Sequence, residues 1–287
     1  MSRSVYVNGA YKLYRDAMIH AEDRGFQFAD AVYEVIEVLD GALVDATRHL
    51  DRLERSLGEL QMRPPMSRAA LLHVAGETLK RNRVTDGSIY IQVTRGAGPR
   101  DFTFPPAAVK PTLVVIARPQ SQAKIAALAE DGIAVVSLPD NRWERCDIKT
   151  VMLLPACLAK NVALASGARD ALFIDNDGLV TEGASSNAWI IARDGTLVTR
   201  QADSSILGGI TRQTLLDVAA ACEIKVQFRP FSIEEAKSAR EAFLTSASNT
   251  VMPIVAIDGA IIGNGKPGSI ARRLRAAFHG VAEISNV

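Results

Sequence analysis

Two residues of this 287-residue chain combine types and surroundings that could support amine chemistry. Lys149 lies in the stretch Arg-Cys-Asp-Ile-Lys-Thr-Val-Met-Leu-Leu-Pro, and Glu182 follows 33 residues later in Thr-Glu-Gly-Ala-Ser-Ser-Asn. A lysine amine can form a Schiff base with an aldehyde, and a carboxylate can keep a pyridine nitrogen protonated. An amine and an acid in these roles are what a protein must supply to use pyridoxal 5′-phosphate (PLP).

The surroundings of Lys149 favour this chemistry over an ordinary surface charge. An apolar run follows the lysine and predicts a buried environment, and burial favours the neutral, nucleophilic amine. The run consists of Val151, Met152, Leu153, Leu154, Ala156, Cys157 and Leu158. Taken alone, however, most lysines are solvated, and a carboxylate placed like Glu182 is more often a turn carboxylate in water. The pair therefore needs support from elsewhere in the chain.

Two further segments could bind a phosphate. Gly208-Gly209 runs into a predicted helix at Ile210 and Thr211, where free backbone N–H groups and the positive end of the helix dipole favour an anion. Arg52 lies off the leucine stripe of another predicted helix and could hold a phosphate with two parallel N–H groups. Neither signal is specific alone, because most Gly-Gly pairs are turns and most such arginines are solvated.

The patterns around these residues predict alternating strands and helices. Asn8-Gly9 and Asp40-Gly41 each join two apolar runs, which predicts two hairpins in the first 45 residues. Leucines at 50, 53, 57 and 60 predict a helix capped by Thr47, and a second helix follows Ser67. Further strands are predicted over 88–94, 112–117, 133–138, 171–175, 179–181, 188–191, 196–199, 242–245 and 251–257, and further helices over 123–130, 211–221, 233–239 and 270–282.

We predict an α+β protein with two domains, because 287 residues exceed the size at which one core usually keeps growing. The best linker lies in Arg118-Pro-Gln-Ser-Gln, near residues 119–123. It would separate a small α+β domain over 1–119 from a larger PLP-binding domain over 123–287, which has strands and flanking helices. In the larger domain, Ser232 followed by Glu235 is a capping-box signal for one helix.

Composition argues against several classes of partner. The 33 basic and 32 acidic residues give a net charge of +1, which does not favour nucleic acids or acidic membranes. No apolar run approaches the length of a membrane span or a leader, so we expect a cytoplasmic protein. Three cysteines without a C-x-x-C spacing and four scattered histidines indicate neither a disulfide scaffold nor a metal site.

The order of the motifs resembles that of the fold-type IV PLP enzymes, the class IV aminotransferases, and is most similar to that of the D-amino acid transaminases. The similarity covers nearly the whole chain, and six segments in family order are specific together. They are Asp-Arg-Gly-Phe-Gln-Phe-Ala-Asp-Ala-Val-Tyr-Glu-Val-Ile at 23–36, His-Leu-Asp-Arg-Leu at 49–53, Arg-Gly-Ala-Gly-Pro-Arg at 95–100, Cys-Asp-Ile-Lys-Thr at 146–150, Thr-Glu-Gly-Ala-Ser-Ser-Asn at 181–187 and Leu-Gly-Gly-Ile-Thr-Arg at 207–212.

The resemblance implies a role for each matching residue. Lys149 would carry PLP as a Schiff base, and Glu182 would hold the ring nitrogen. The remaining cofactor contacts would be Arg52 and the backbone of Ile210 and Thr211 on the phosphate, Leu207 against the ring, and Ser248, by a looser match, on the phosphate.

Tyr33 and Arg100 would meet the substrate carboxylate. The resemblance also implies a homodimer and a ping-pong exchange, through pyridoxamine phosphate, of the amino group between a D-amino acid and a 2-oxo acid, with 2-oxoglutarate or pyruvate as acceptor.

The substrate pocket departs from the family pattern at two positions. D-amino acid transaminases have a histidine two places after the loop arginine, where this chain has Phe102. A phenyl ring cannot donate to a carboxylate, and a charged hydrogen bond is worth roughly 1.5–3 kcal/mol, or tenfold and more in affinity. Glu37 stands where the family commonly has arginine. We predict a reorganised carboxylate pocket that tolerates amines without a carboxylate.

Other functions remain open on the sequence alone. A branched-chain L-amino acid transaminase and a PLP lyase of the aminodeoxychorismate type share the fold. Outside the family, Lys149 could serve a cofactor-free Schiff-base aldolase, or the chain could bind a phosphorylated ligand without chemistry.

Overall fold

A computed structural model describes residues 3–287 and divides the chain into two units. The first unit contains the chain as far as Gln122, together with Ile148–Met152 and Glu283–Val287, and the second contains Ala123–Asp147 and Leu153–Ala282. Both units combine strands and helices, which confirms the α+β class. The division differs from a single cut near 119–123, because the chain returns twice to the first unit. Lys149 consequently lies in the first unit.

The strands are β1 (Ser4–Val7), β2 (Ala10–Leu13), β3 (Ala31–Leu39), β4 (Ala42–Val44), β5 (Gly87–Thr94), β6 (Thr112–Pro119), β7 (Ile133–Pro139), β8 (Asp170–Ile174), β9 (Val180–Gly183), β10 (Asn187–Ile191), β11 (Leu197–Thr199), β12 (Val226–Phe228), β13 (Glu241–Ser246), β14 (Thr250–Ile257), β15 (Ala260–Ile261) and β16 (Ile284–Ser285). The helices are α1 (Arg24–Phe28), α2 (Ala46–Glu59), α3 (Arg68–Asn82), α4 (Gln122–Asp131), α5 (Leu154–Ala165), α6 (Ile210–Ala221), α7 (Ile233–Ser238) and α8 (Ser269–Val281). None of these helices is long and apolar enough to cross a membrane.

The first unit is built on a seven-stranded antiparallel sheet with the order β16-β4-β3-β5-β6-β1-β2. Both predicted hairpins are present, with positive φ at Asn8-Gly9 and Asp40-Gly41, as tight hairpin turns require. Helix α2 packs its leucines at 50, 53 and 57 into the core. Helix α3 follows Ser67 as predicted, and the Ser67 hydroxyl caps it by accepting a hydrogen bond from Ala70 N at 3.3 Å.

The prediction that Thr47 caps helix α2 is wrong. The helix begins at Ala46, one residue before Thr47, and Asp45 occupies the N-cap position with a left-handed φ of 55° and no side-chain cap. The Thr47 hydroxyl instead donates to Glu283 Oε1 at 2.8 Å. A hydroxyl near a helix start is therefore not enough to identify the cap when a distant carboxylate can accept its proton.

The second unit is built on a nine-stranded mixed sheet. Its order is β12-β11-β10-β13-β14-β7-β8-β9, and β15 pairs with β14. The β11–β12, β14–β7 and β7–β8 pairs are parallel, and the other pairs are antiparallel. The core includes Trp189 and Phe243, whose rings stack with centroids 5.8 Å apart. The Ser232 cap is present, because its hydroxyl accepts from Glu235 N at 3.1 Å.

The expectation that the apolar run after Lys149 is buried is wrong for most of the run. Much of it forms α5, a helix that the patterns did not predict. Ala159 and Ala163 pack against the core formed with Ala171 and Phe173, since small side chains allow a helix to approach a sheet closely. The larger side chains lie outside that contact, with Leu154, Leu158 and Val162 exposed by 69%, 55% and 46%.

Candidate active site

The backbone around Lys149 is fixed by strand β3. Tyr33 N donates to Lys149 O at 3.0 Å, and Val151 N donates to Ala31 O at 3.1 Å. Ile148 and Thr150 are buried on either side of the half-buried lysine. The Lys149 ammonium lies 4.2 Å from the centre of the Tyr33 ring, within the range of a cation–π contact. The structure thus brings together the predicted Schiff-base lysine and one predicted substrate residue.

Arg52 has a largely buried side chain, contrary to what its position off the leucine stripe suggests by default. Its Nε and Nη2 each donate to a carboxylate oxygen of Glu34 at 2.8 Å, which is a bidentate pair. His49 Nδ1 lies 2.7 Å from Glu34 Oε2. A carboxylate can only accept, so Nδ1 carries the proton. Arg52 is therefore held in one orientation by a carboxylate that a histidine also binds.

The electrostatics of this buried group follow from its partners. Burial favours the neutral form of Glu34, but Arg52 and His49 outweigh it and lower the pKa of Glu34 from 4.5 to about 2. The pKa of His49 is lowered by its burial, and the positive charges of Arg52 and Lys149 add to this effect despite the opposing carboxylate. At neutral pH, Glu34 is ionised and His49 is neutral.

Arg100 lies in an exposed loop and contacts aromatic rings. Its guanidinium carbon is 5.1 Å from the ring centre of Phe28 and 5.8 Å from that of Phe102, distances at which a cation attracts a π face. The two rings are themselves 5.6 Å apart. Phe102 is 81% exposed, so the residue that replaces the expected histidine presents an apolar surface beside the predicted carboxylate ligand.

Glu182 lies within strand β9, whereas the sequence placed it just after a strand. The side chain is buried and pairs with Arg142, which also pairs with Asp140 at 2.7 Å. Burial opposes the charge of Arg142, but Asp140 and Glu182 hold its pKa above the usual value. The pKa of Asp140 is lowered because hydrogen bonds and charge from Arg142 outweigh burial. The alternative of a turn carboxylate in water does not describe Glu182.

Asn187 connects Glu182 to the loop before α6. Its Nδ2 donates to Glu182 Oε2 at 3.1 Å and to Leu207 O at 2.8 Å, and Leu207 N donates to Glu182 Oε2 at 3.1 Å. The structure thus brings together two predicted cofactor residues, Glu182 and Leu207. Gly209 leaves the space that the amide needs, because a Cβ there would overlap Asn187 Oδ1.

The predicted phosphate ligands Ile210 and Thr211 form the first turn of α6. Gly209 occupies the N-cap position without a side-chain cap, so no cap side chain competes with an anion for the N–H groups of this turn. Ser248 follows β13, and its hydroxyl lies 3.3 Å from that of Ser246. This contact does not connect Ser248 to α6.

The groups present fit PLP. An ionised carboxylate suits a protonated ring nitrogen, and an uncapped helix start suits a phosphate. The Ser186 hydroxyl, near Glu182, is buried with no hydrogen-bond partner among residues 3–287, which leaves one donor for a ligand.

Sequence reasoning did not identify Glu34, His49, Asp140, Arg142 or Asn187 as parts of these groups. Glu34 gives a signal in hindsight, because it is a charged residue in the apolar run of β3. Arg142 gives none, since its partner Glu182 lies 40 residues further along the chain. Asn187 lies in the same segment as Glu182, but its second partner, Leu207, lies 20 residues away.

The comparisons with known proteins agree with the fold. The family model described as amino-transferase class IV matches residues 31–257. The chain is 38% identical over 279 residues to a protein named D-alanine aminotransferase from Staphylococcus haemolyticus, with 96% of each chain covered. It is 39% identical over 274 residues to a protein of the same name from Staphylococcus epidermidis, again with 96% of each covered.

Solved structures of branched-chain aminotransferases share the fold. The T.th. enzyme with pyridoxamine 5′-phosphate superposes with a TM-score of 0.89 at 23% identity, covering 99% of this chain and 98% of that one. The Escherichia coli enzyme gives a TM-score of 0.87 at 23% identity, with 98% and 94% covered.

Proposed function

The chain belongs to the amino-transferase class IV family, whose members use PLP, and on this premise we propose that it exchanges the amino group between a D-amino acid and a 2-oxo acid. The observation that carries the D-specific assignment is the identity of 38–39% over 96% of the chain to proteins named D-alanine aminotransferase. The branched-chain enzymes are only 23% identical and support the fold alone. We infer a ping-pong order, with 2-oxoglutarate or pyruvate as acceptor.

When bound, PLP supplies the aldehyde that accepts the amino group and a ring that withdraws electrons from the substrate carbon. Lys149 would hold the cofactor through its amine and, once free, would move the proton at the substrate α-carbon. Glu182 would keep the ring nitrogen protonated. Arg52 and the N–H groups of Ile210 and Thr211 would hold the phosphate. Leu207 would lie against the ring, and the weaker assignment of Ser248 to the phosphate stays a prediction.

The substrate carboxylate is assigned to Tyr33 and Arg100. Tyr33 is supported by its contact with the Lys149 amine, and Arg100 by its exposed position in a loop beside two aromatic rings. Because Phe102 offers no hydrogen bond, the carboxylate contributes less to binding, and amines without one should be accepted more readily than in an enzyme with histidine there.

The substrate test is an initial-rate panel of D- and L-amino acids with 2-oxoglutarate and pyruvate. D-alanine should be a donor and L-leucine should not, whereas the reverse would favour the branched-chain alternative. Release of pyruvate without an amino acceptor would favour the lyase. Arg100→Ala should lower kcat/KM for D-alanine by about tenfold or more, and the exposed Arg15→Ala is the matched control. Unchanged rates in Arg100→Ala would contradict the carboxylate assignment.

The lysine assignment is tested without turnover. Borohydride reduction of the PLP-loaded chain should fix the cofactor on the peptide that contains Lys149 and should fail in Lys149→Ala. Lys160→Ala, which removes a lysine of α5 that pairs with Asp170, should leave labelling of Lys149 intact. A purified chain that gains no visible absorbance with PLP would contradict the function proposed here and would leave the aldolase or the non-catalytic binder.

We infer that the chain forms a homodimer, supported by the exposed apolar stripe of α5. Leu154, Leu158 and Val162 lie four residues apart and therefore share one helix face, and an apolar face of this kind usually marks an interface. Leu158→Asp should shift the mass in light scattering from dimer to monomer. Ile261→Asp, at an exposed apolar residue of β15, is the control. A wild-type monomer would refute the dimer. The cytoplasmic location stays a prediction.

A further inference from the structure

Glu182 is one of three charged side chains that form a largely buried group in the second unit. The Arg142 guanidinium pairs with both Glu182 and Asp140, and the side chains of Arg142, Asp140 and Glu182 are only 13%, 13% and 7% exposed. Low exposure makes their mutual interactions stronger than those of a surface pair.

Hydrogen bonds and a ring contact hold the group in place. Arg142 donates to Asp140 through both Nε and Nη2, at 2.9 and 2.7 Å, and its guanidinium carbon lies 4.7 Å from the Phe173 ring centre. Thr181, the neighbour of Glu182 on β9, donates its hydroxyl to Asp140 Oδ2 at 2.7 Å. Asp140 is therefore tied to both the arginine and the strand that carries Glu182.

The charges of this group have a chemical consequence. With Arg142 alone beside it, Glu182 would belong to a neutral pair and would attract a third group weakly. Asp140 adds a second carboxylate to the pair, so the three side chains together carry one negative charge. One negative charge complements one protonated ring nitrogen.

We propose that Asp140 and Arg142 are positioning residues that make Glu182 select a cofactor with a protonated ring nitrogen. Arg142 fixes the orientation of the Glu182 carboxylate, and Asp140 offsets the charge of Arg142. The inference rests on the proposed function, because it requires Glu182 to hold the ring nitrogen.

The test compares the binding of two ligands by the full-length chain freed of cofactor. One is PLP, and the other is its deaza analogue, in which carbon replaces the ring nitrogen. Both carry the same aldehyde and phosphate. The contributions of the lysine and the phosphate site therefore cancel in the ratio of the analogue's dissociation constant to that of PLP. Asp140→Asn should weaken PLP by about tenfold and change the analogue less than about twofold. Asp140→Glu should restore much of the preference.

Asp175→Asn is the matched control, since Asp175 pairs with Arg200 at 2.7 Å in the same unit and should not affect the ratio. If Asp140→Asn fails to fold, Thr181→Val removes the hydroxyl that fixes Asp140 and should lower the ratio in the same direction. Equal weakening of both ligands, or no weakening, would overturn the inference.

Glu182→Gln separates this inference from the function on which it rests. If Glu182→Gln leaves the ratio unchanged, the role of Glu182 at the ring nitrogen is wrong. If it lowers the ratio while the Asp140 variants do not, only the role of Asp140 and Arg142 is wrong.

Discussion

Glu34 should contribute strongly to the stability of the first unit, and replacing it with glutamine should show this. The lowering of its pKa from 4.5 to about 2 is a difference of 2.5, and at about 1.36 kcal/mol for each pKa unit it corresponds to about 3 kcal/mol. Because the folded pKa is the lower one, this stability is present above pH 4.5 and is lost as the pH falls through about 2. Glu34→Gln should therefore cost about 3 kcal/mol at pH 7, as the breaking of a buried ion pair does.

The two units can be followed separately, because all five tyrosines lie in the first unit and both tryptophans in the second. Urea unfolding measured by tyrosine absorbance should show that Glu34→Gln has a lower free energy of unfolding at pH 7. Its difference from the wild type should shrink toward pH 2. Glu54→Gln on α2 breaks an exposed pair with Arg68 of α3 and should cost at most about 1 kcal/mol. Equal shifts in the two variants, or a Glu34→Gln loss that persists at pH 2, would refute the reasoning.

Three further predictions concern the second unit. Gly209→Ala should weaken PLP binding on the order of tenfold, because its Cβ would displace Asn187, whereas Gly208→Ala, where a Cβ meets nothing within 4 Å, should bind normally by the same titration. Ser232→Ala should lower the free energy of unfolding by about 1 kcal/mol, measured by tryptophan emission in urea, since it removes the cap of α7. Burial raises the pKa of Cys146 from 9.0 to about 11, so its alkylation at pH 8 in the folded chain should be roughly a hundredfold slower than in urea, measured by mass spectrometry.

Local signals predicted the elements that depend on local physics. The turns at Asn8-Gly9 and Asp40-Gly41 need positive φ, and the residues there supply it whatever surrounds them. The leucine spacing of α2 and the Ser67 cap of α3 are equally local. The Thr47 hydroxyl binds Glu283 and does not cap α2, and no neighbouring residue reveals this distant partner.

The sequence predicts the parts of the candidate site in which a single residue carries the chemistry. It does not predict the ion pairs that orient those residues. Lys149 and Glu182 are visible as residue types in a motif. The partners that orient the site, such as Arg142 for Glu182 and Glu34 for Arg52, come from other elements, so only the folded chain joins them. The exposed stripe of α5 contradicts a prediction, because the apolar pattern after Lys149 predicts that these leucines are buried.

The pairing of β16 with β4 has a consequence for how the chain folds as it leaves the ribosome. Ile284 pairs with Val44, so the first sheet gains this edge only after the whole second unit has been translated. Until then β4 presents an unpaired edge, which can recruit other nascent chains, although its three residues keep that edge short. Lys149 also reaches the first unit late, when its segment returns to β3. A first unit translated only as far as Gln122 therefore lacks both its outer strand and the lysine proposed to bind the cofactor.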